Sequence, residues 1–303
     1  MKQKRTEPIP PAPALTRRSL LIRSASAAGT MALSPSLSAL FAEQKSRWFK
    51  IGVCDWNLGR RGTPDAIRVA TEVGLDGVMA SFGGPGGKYD LRKPEGCRAY
   101  ADATAKHGPV ICSLGMGVLN GVPYKSDPKA EKWVRDSVGV ARALNVKVVL
   151  LAFFGRGDIK GDAKGTQEVI RRLREVAPEA EKAGVILGLE TWLSAKEHMH
   201  IIDSVGSPNV QVYYDLGNSL KKGYDIYREI RELGREHICE FHAKDYAGKL
   251  FGHGNVDFWK VRRAIDAIGY SGWVVVEGAQ PFGLHKSYRH DANFLKGIFP
   301  PKG

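Results

Sequence analysis

The chain has only four cysteines in 303 residues, Cys54, Cys97, Cys112 and Cys239, and no CxxC pair. That spacing excludes a cysteine zinc site or a dithiol redox motif. Cys112 and Cys239 fall inside apolar runs, where cysteine behaves as a small hydrophobe, so free thiols are expected and no disulfide is required. There is also no block of like charge, although the formal net charge is +13. Part of that excess sits at the start, where Lys2, Lys4, Arg5, Arg17, Arg18 and Arg23 face only Glu7 and Glu43. Farther on, basic residues alternate with acids along helix-like stretches such as 167–181. This is a solvated surface rather than a nucleic-acid arm, so no nucleic-acid partner is expected. Internal repeats and a second-domain linker are absent as well. What remains, 43% hydrophobic and 25% charged residues, is the balance of a chain that buries an ordinary core.

The N-terminus stands apart. Arg17 and Arg18 precede Leu20 and Leu21, and a run of small and apolar residues follows over 24–42, ending at Ala42. A basic region, a modest apolar region and a small residue at the cleavage point are the layout of a secretory signal. The Arg pair looks like a twin-arginine export signal, which implies a periplasmic protein, folded and metal-loaded before export. Gly29, Ser34, Pro35 and Ser36 interrupt the apolar region, so it is too weak for a stable membrane span. Residues 1–44 are therefore expected to form a removable leader, and 48–300 the folded domain.

From Trp48 onward, short apolar runs alternate with amphipathic stretches. The runs cover 49–53, 77–82, 110–114, 146–154, 185–190, 210–215, 238–242 and 273–277. They are nearly continuous in Val, Ile, Leu and Phe, as strands buried on both faces should be. Helical patterns lie between them, for instance over 128–144, 166–183 and 224–234, and Gly74, Gly108, Gly184, Gly234 and Gly269 mark helix ends. Eight such units predict a single (β/α)8 barrel, which needs about 250 residues. An open doubly wound sheet would need a glycine-rich phosphate turn after its first strand. The residues there are Cys54, Asp55, Trp56 and Asn57.

In such a barrel the carboxyl ends of the strands converge on one mouth. Strands five to eight end in LGLET, YYDLGN, FHAKD and VVVEG, delivering Glu190, Asp215, His242 and Glu277 at matched height. Taken singly, a strand-end Asp or Glu is most often a cap for the next helix. Together, three carboxylates in one cleft repel one another and need a cation among them. Three oxygen ligands and one imidazole suit Mn2+, Zn2+, Co2+ or Mg2+.

Those four segments, with GHGNVDFWKVRRAIDAIGYSGWVVVEG over 252–278, resemble the sugar phosphate isomerase/epimerase group of xylose isomerase-like TIM barrels. The resemblance runs from about 51 to 280. It implies one divalent metal, often manganese, held by Glu190, Asp215, His242 and Glu277, and a carbohydrate substrate. It also implies a homo-oligomer, for which the chain shows no interface signature. Two positions depart from the pattern: Asn218 stands where many ketose 3-epimerases carry His, and His253 where a loop Glu is usual. Both bear on substrate and reaction rather than on the metal set.

The implied chemistry is proton loss beside a carbonyl through a metal-stabilised enediolate, with Glu190 and Glu277 removing and returning the proton. The same enediolate can expel a leaving group, which keeps a lyase, dehydratase or deglycosylating enzyme as the alternative. An apurinic endonuclease shares the barrel but calls for more histidine ligands and a basic groove; a non-catalytic sugar-binding protein is the remaining reading. Trp56, Asn218, Lys244 and His253 are candidate substrate contacts, and Lys244 and Asp245 candidate supports for His242. Trp56, Phe153 and Phe154 could stack on a sugar ring, against core packing as the ordinary role. His198 and His200, two residues apart on a helix, do not share a face and are discounted as ligands.

Overall fold

A computed structural model describes residues 48–300, so the expected leader over 1–44 lies outside the described residues. The eight strands are β1 (Phe49–Cys54), β2 (Gly77–Ser81), β3 (Val110–Met116), β4 (Val148–Ala152), β5 (Ile186–Glu190), β6 (Val210–Asp215), β7 (Ile238–Ala243) and β8 (Gly272–Val276). They pair in parallel in chain order, and β8 closes on β1. The expected (β/α)8 barrel is the fold.

The helices around it are α1 (Asp65–Glu72), α2 (Pro94–His107), α3 (Pro128–Ala143), α4 (Ala163–Ala183), α5 (Ala195–Val205), α6 (Leu216–Lys221), α7 (Ile226–Leu233), α8 (Phe258–Ala267) and α9 (Leu284–Ile298). Helix α4 shows how the sequence makes one. Asp162 caps its start by accepting from the Gly165 amide at 2.8 Å. Val169, Ile170, Leu173, Val176 and Ala177 recur at helical spacing and are all buried. Gly184, at φ +66°, ends it in the left-handed conformation that glycine adopts without strain. Among the described residues no helix is long and apolar enough to cross a membrane.

Strand parity then decides what faces the axis. On β4, Val149 and Leu151 join the large layer between sheet and helices, while Val148, Leu150 and Ala152 join a smaller cluster with Cys54, Met79, Cys112, Tyr213 and Val275. Successive residues of a strand point to opposite faces. Asp215 therefore shares the inner face with Tyr213, and Glu277 follows Val275 two residues on. The β6–β7 register sets Asp215 directly beside His242, and the β4–β5 register sets Glu190 beside Ala152. Most strand ends shift by a residue or two from the sequence pattern: the apolar run over 146–154 contributes only Val148–Ala152 to the sheet, and Glu277 lies one residue past β8. Glu277 still continues the strand, its amide donating to the Ala243 carbonyl at 2.9 Å.

Candidate metal centre

One ligand-capable atom from each of Glu190, Asp215, His242 and Glu277 lies within 4.8 Å of the other three. His242 Nδ1 is the hub. It is 3.0 Å from Glu190 Oε1 and 3.7 Å from both Asp215 Oδ2 and Glu277 Oε2. The first three residues are buried and Glu277 is partly exposed to the mouth.

The crowding shows in the protonation equilibria. Burial pushes the Glu190 carboxyl well above the usual carboxylate range, and Glu277 and Asp215 add to that against the pull of His242. For Asp215 burial acts in the same sense, but the Lys244 charge and His242 outweigh it and hold the carboxyl low. Burial alone would lower His242; Cys54, Glu190 and Asp215 around it raise it instead. A neutral ring drawn towards protonation by its acidic surroundings marks a place that demands positive charge.

Asp215 settles how the donor set fits a metal. Its Oδ1 accepts from the Asn218 amide at 2.7 Å and caps α6. Its Oδ2 is buried with no hydrogen-bond partner. The helix-cap role and the ligand role thus fall on different oxygens of one carboxylate, and the second oxygen is left for a cation. Mixed oxygen and imidazole donors at this spacing fit one divalent ion.

The surrounding groups orient the set. Trp56 Nε1 donates to Glu277 Oε1 at 3.0 Å, and Lys244 Nζ lies 2.7 Å from Glu277 Oε2 and 3.5 Å from Asp215 Oδ2. Burial opposes charge on Lys244, but Asp215, Glu277 and Glu190 overcome it and hold the ammonium firmly protonated. The side-chain Nδ2 of Asn218 is 3.5 Å from Glu190 Oε1, so that with its backbone amide on Asp215 the residue bridges two members of the set. Behind His242, Cys54 Sγ is 3.3 Å from Nε2. Burial pushes that thiol up to about 12, so it faces the imidazole neutral.

A cavity of about 580 Å3 opens above the centre, walled in part by Trp56, Phe154, Trp192, Tyr246, Lys244 and Asn218. Of the three aromatics singled out in the sequence, Trp56 and Phe154 reach it. Phe153 is fully buried against Tyr124. Trp192 and Tyr246 escaped the sequence reading, although Trp192 stands just two residues past Glu190. Asp245 borders the cavity but does not support His242: its carboxylate accepts from the Ala247 and Val256 amides, each at 3.0 Å, fixing the β7–α8 loop. His253 is placed outside the cavity lining, its ring 5.8 Å from that of His290. His198 is buried in a structural role, bonded to Thr191 and Ser194, and His200 is exposed. All four cysteines are free.

Comparison with known proteins places this geometry. The chain is 27% identical over 197 residues to a 2-epi-5-epi-valiolone 7-phosphate 2-epimerase of an Actinoplanes species, covering 65% of this chain and 72% of the relative. It is 28% identical over 142 residues to a 3-oxo-isoapionate decarboxylase of Pectobacterium atrosepticum, covering 42% of this chain and 50% of the relative. The fold superposes on a 3-keto-D-glucoside 4-epimerase of E. coli with a TM-score of 0.69 at 16% identity, covering 82% and 99% of the two chains. Residues 67–298 match the xylose isomerase-like TIM barrel family, and with the closed barrel that carries them the chain belongs to that family.

Proposed function

We propose that the protein is a divalent-metal-dependent sugar isomerase or epimerase, which removes and returns a proton beside a carbonyl. One observation carries the reading: Glu190, Asp215, His242 and Glu277 offer four ligand atoms within 4.8 Å, at the open mouth of the barrel. The epimerase activity named for the Actinoplanes relative supports it.

Bound there, a divalent ion supplies Lewis acidity, lowering the cost of negative charge on a keto oxygen as the neighbouring proton leaves. Mn2+ is the ion we assign. Glu190, at the end of β5, is the base on one side of the sugar. Glu277, from the end of β8, serves the other side, its two oxygens oriented by Trp56 and Lys244. Removal on one face and return on the other inverts the carbon. Trp56, Phe154 and Trp192 offer flat apolar surface to the ring, while Asn218 and Lys244 offer donors to its oxygens. An export signal over 1–44 would put this reaction in the periplasm.

The similarity to a decarboxylase favours a lyase as the second reading, since stabilised charge on a keto oxygen would equally serve loss of CO2 from a keto acid, or departure of a group next to the carbon that has lost its proton. Proton NMR in D2O with the Mn2+-loaded, leader-free protein and a panel of free and 3-keto sugars separates the two. Deuterium entering one carbon of an intact or epimerised sugar is the expected result. Loss of water or an aglycone moves the assignment to a lyase, and no exchange with any sugar removes the proton-transfer reading.

A further inference from the structure

The cavity above the metal centre does not end where the reacting sugar would sit. A second cavity, of about 390 Å3, adjoins it over the ends of β2 and β3, across the barrel from β6 and β7. Arg61 and Gly117 line both and form the seam. Beyond the seam the walls are Phe82, Tyr89, Leu91, Val118 and glycines of the 83–87 loop.

These walls are pinned. The fully buried Asp55 carboxylate accepts from the Gly62 amide at 2.7 Å, the Ser81 amide at 2.7 Å and the Ser81 hydroxyl at 2.6 Å, tying the β1–α1 loop to the end of β2. Asp90 accepts from the Gly86 and Arg92 amides at 3.0 and 3.1 Å. The Arg92 guanidinium bonds Asp90, Asp136 and the Gly83 carbonyl, and lies 3.9 Å over the Phe82 ring. Preformed clefts of this kind are where ligands bind.

We propose that this second cavity is a subsite for a further sugar ring, so that the metal centre works on a keto-disaccharide or larger glycoside. The inference rests on the function proposed above. The Arg61 guanidinium, 5.5 Å over the Trp56 ring, presents a planar fork of donors at the seam. That fork matches pairs of sugar hydroxyl and ring oxygens, and Tyr89 adds a hydroxyl beyond it. An anion would find a single uncommitted guanidinium among mostly apolar walls, with no second free cation in the lining to share its charge. Two carboxylates already engage Arg92, which leaves Arg61 as the cation facing the seam, and the 83–87 loop leads on to α2 only at Pro94, so the N-terminus of α2 offers the cavity no anion cradle. Gly117 offers the lever. A Cβ there meets only Arg61 Nη1, at 3.8 Å, so a larger side chain enters the seam without striking backbone.

The test compares kcat/KM of the Mn2+-loaded protein for 3-keto-glucose, 3-keto-trehalose, 3-keto-cellobiose and 3-keto-glucose 6-phosphate, in wild type, Gly117→Val and Arg61→Ala. Wild type should prefer one keto-disaccharide over 3-keto-glucose by about tenfold or more, and each variant should lower that preference by about tenfold, the worth of one charged hydrogen bond. Equal values for monosaccharide and disaccharides, or proportional losses on every sugar, overturn the subsite. A preference confined to the phosphorylated sugar makes the seam an anion site and overturns it too. Turnover of none of them sinks the parent reading, and saturation-transfer NMR with trehalose and cellobiose then decides the subsite alone. Contact that both variants abolish supports it; absence of contact with wild type overturns it.

Discussion

Lys244 reaches from the end of β7 to set its ammonium 2.7 Å from Oε2 of Glu277, at the end of β8. The other oxygen of Glu277 accepts from Trp56 at 3.0 Å. A carboxylate held at both oxygens has a fixed direction, as a proton-transfer group needs. Glu277→Gln preserves shape and one of the two acceptors, so it should retain the fold. It should lose proton exchange by about 10²–10⁴-fold, the usual contribution of a positioned general acid–base. Circular dichroism checks the fold and deuterium incorporation the chemistry; exchange at the wild-type rate would remove Glu277 from the proton path.

Metal removal should be felt in stability as well as in turnover. The Oδ2 of Asp215, buried without a hydrogen bond, and the raised proton affinity of His242 mark a place whose charge a cation balances. A chelator should abolish activity and lower Tm, and Mn2+ should restore both. At free metal about a hundredfold above Kd the gain is about 2.7 kcal/mol. A melting curve indifferent to chelator and Mn2+ would count decisively against the centre.

The barrel was legible because continuous apolar runs such as 148–152 can be buried only between two layers, and glycines such as Gly184 end the helices between them. Glu190, Asp215 and His242 were legible for the same reason: each ends such a run, and parallel strands of matched length bring their ends together. Side-chain direction was not. Lys244 and Asp245 look equivalent in sequence, yet Lys244 turns to Glu277 while Asp245 bonds the loop backbone at Ala247 and Val256. His253 lies in the loop between β7 and α8, and a loop lacks the period that tells which way a residue faces. Arg61 and Gly117 carry no local signal, because their cavity is made by loops distant in sequence.

Cys54 is the residue behind the centre that periodicity could not assign. Its Sγ lies 3.3 Å from His242 Nε2, so that with a metal on Nδ1 the imidazole would carry its hydrogen on Nε2 and donate it to sulfur. Such supports typically govern metal affinity by 10–100-fold. Cys54→Ala should weaken Mn2+ binding by about that factor in calorimetry, while Cys54→Ser, which keeps an acceptor, should recover most of it. Equal affinity in Cys54→Ala would mean the ring is oriented by its packing against Tyr213, whose centroid is 4.5 Å away.

His198 should give the fold an acid sensitivity of its own. Buried on α5, it has Nδ1 3.1 Å from the Ser194 carbonyl and Nε2 3.0 Å from the Thr191 hydroxyl. The carbonyl can only accept, so Nδ1 carries the hydrogen and the neutral ring fits both partners. Burial pushes its pKa from 6.5 down to about 4. The unfolded chain therefore binds a proton at His198 before the folded one does. Stability from this group is complete above pH 6.5 and is lost as pH falls towards 4. Between pH 7 and pH 5 the loss is about 2 kcal/mol. His198→Gln keeps a donor and an acceptor without a titrating ring. Its stability in urea, measured at both pH values, should fall by about that much less than wild type does. Parallel losses in the two proteins would show that His198 is protonated in the folded state already, with Thr191 and Ser194 rearranged around it.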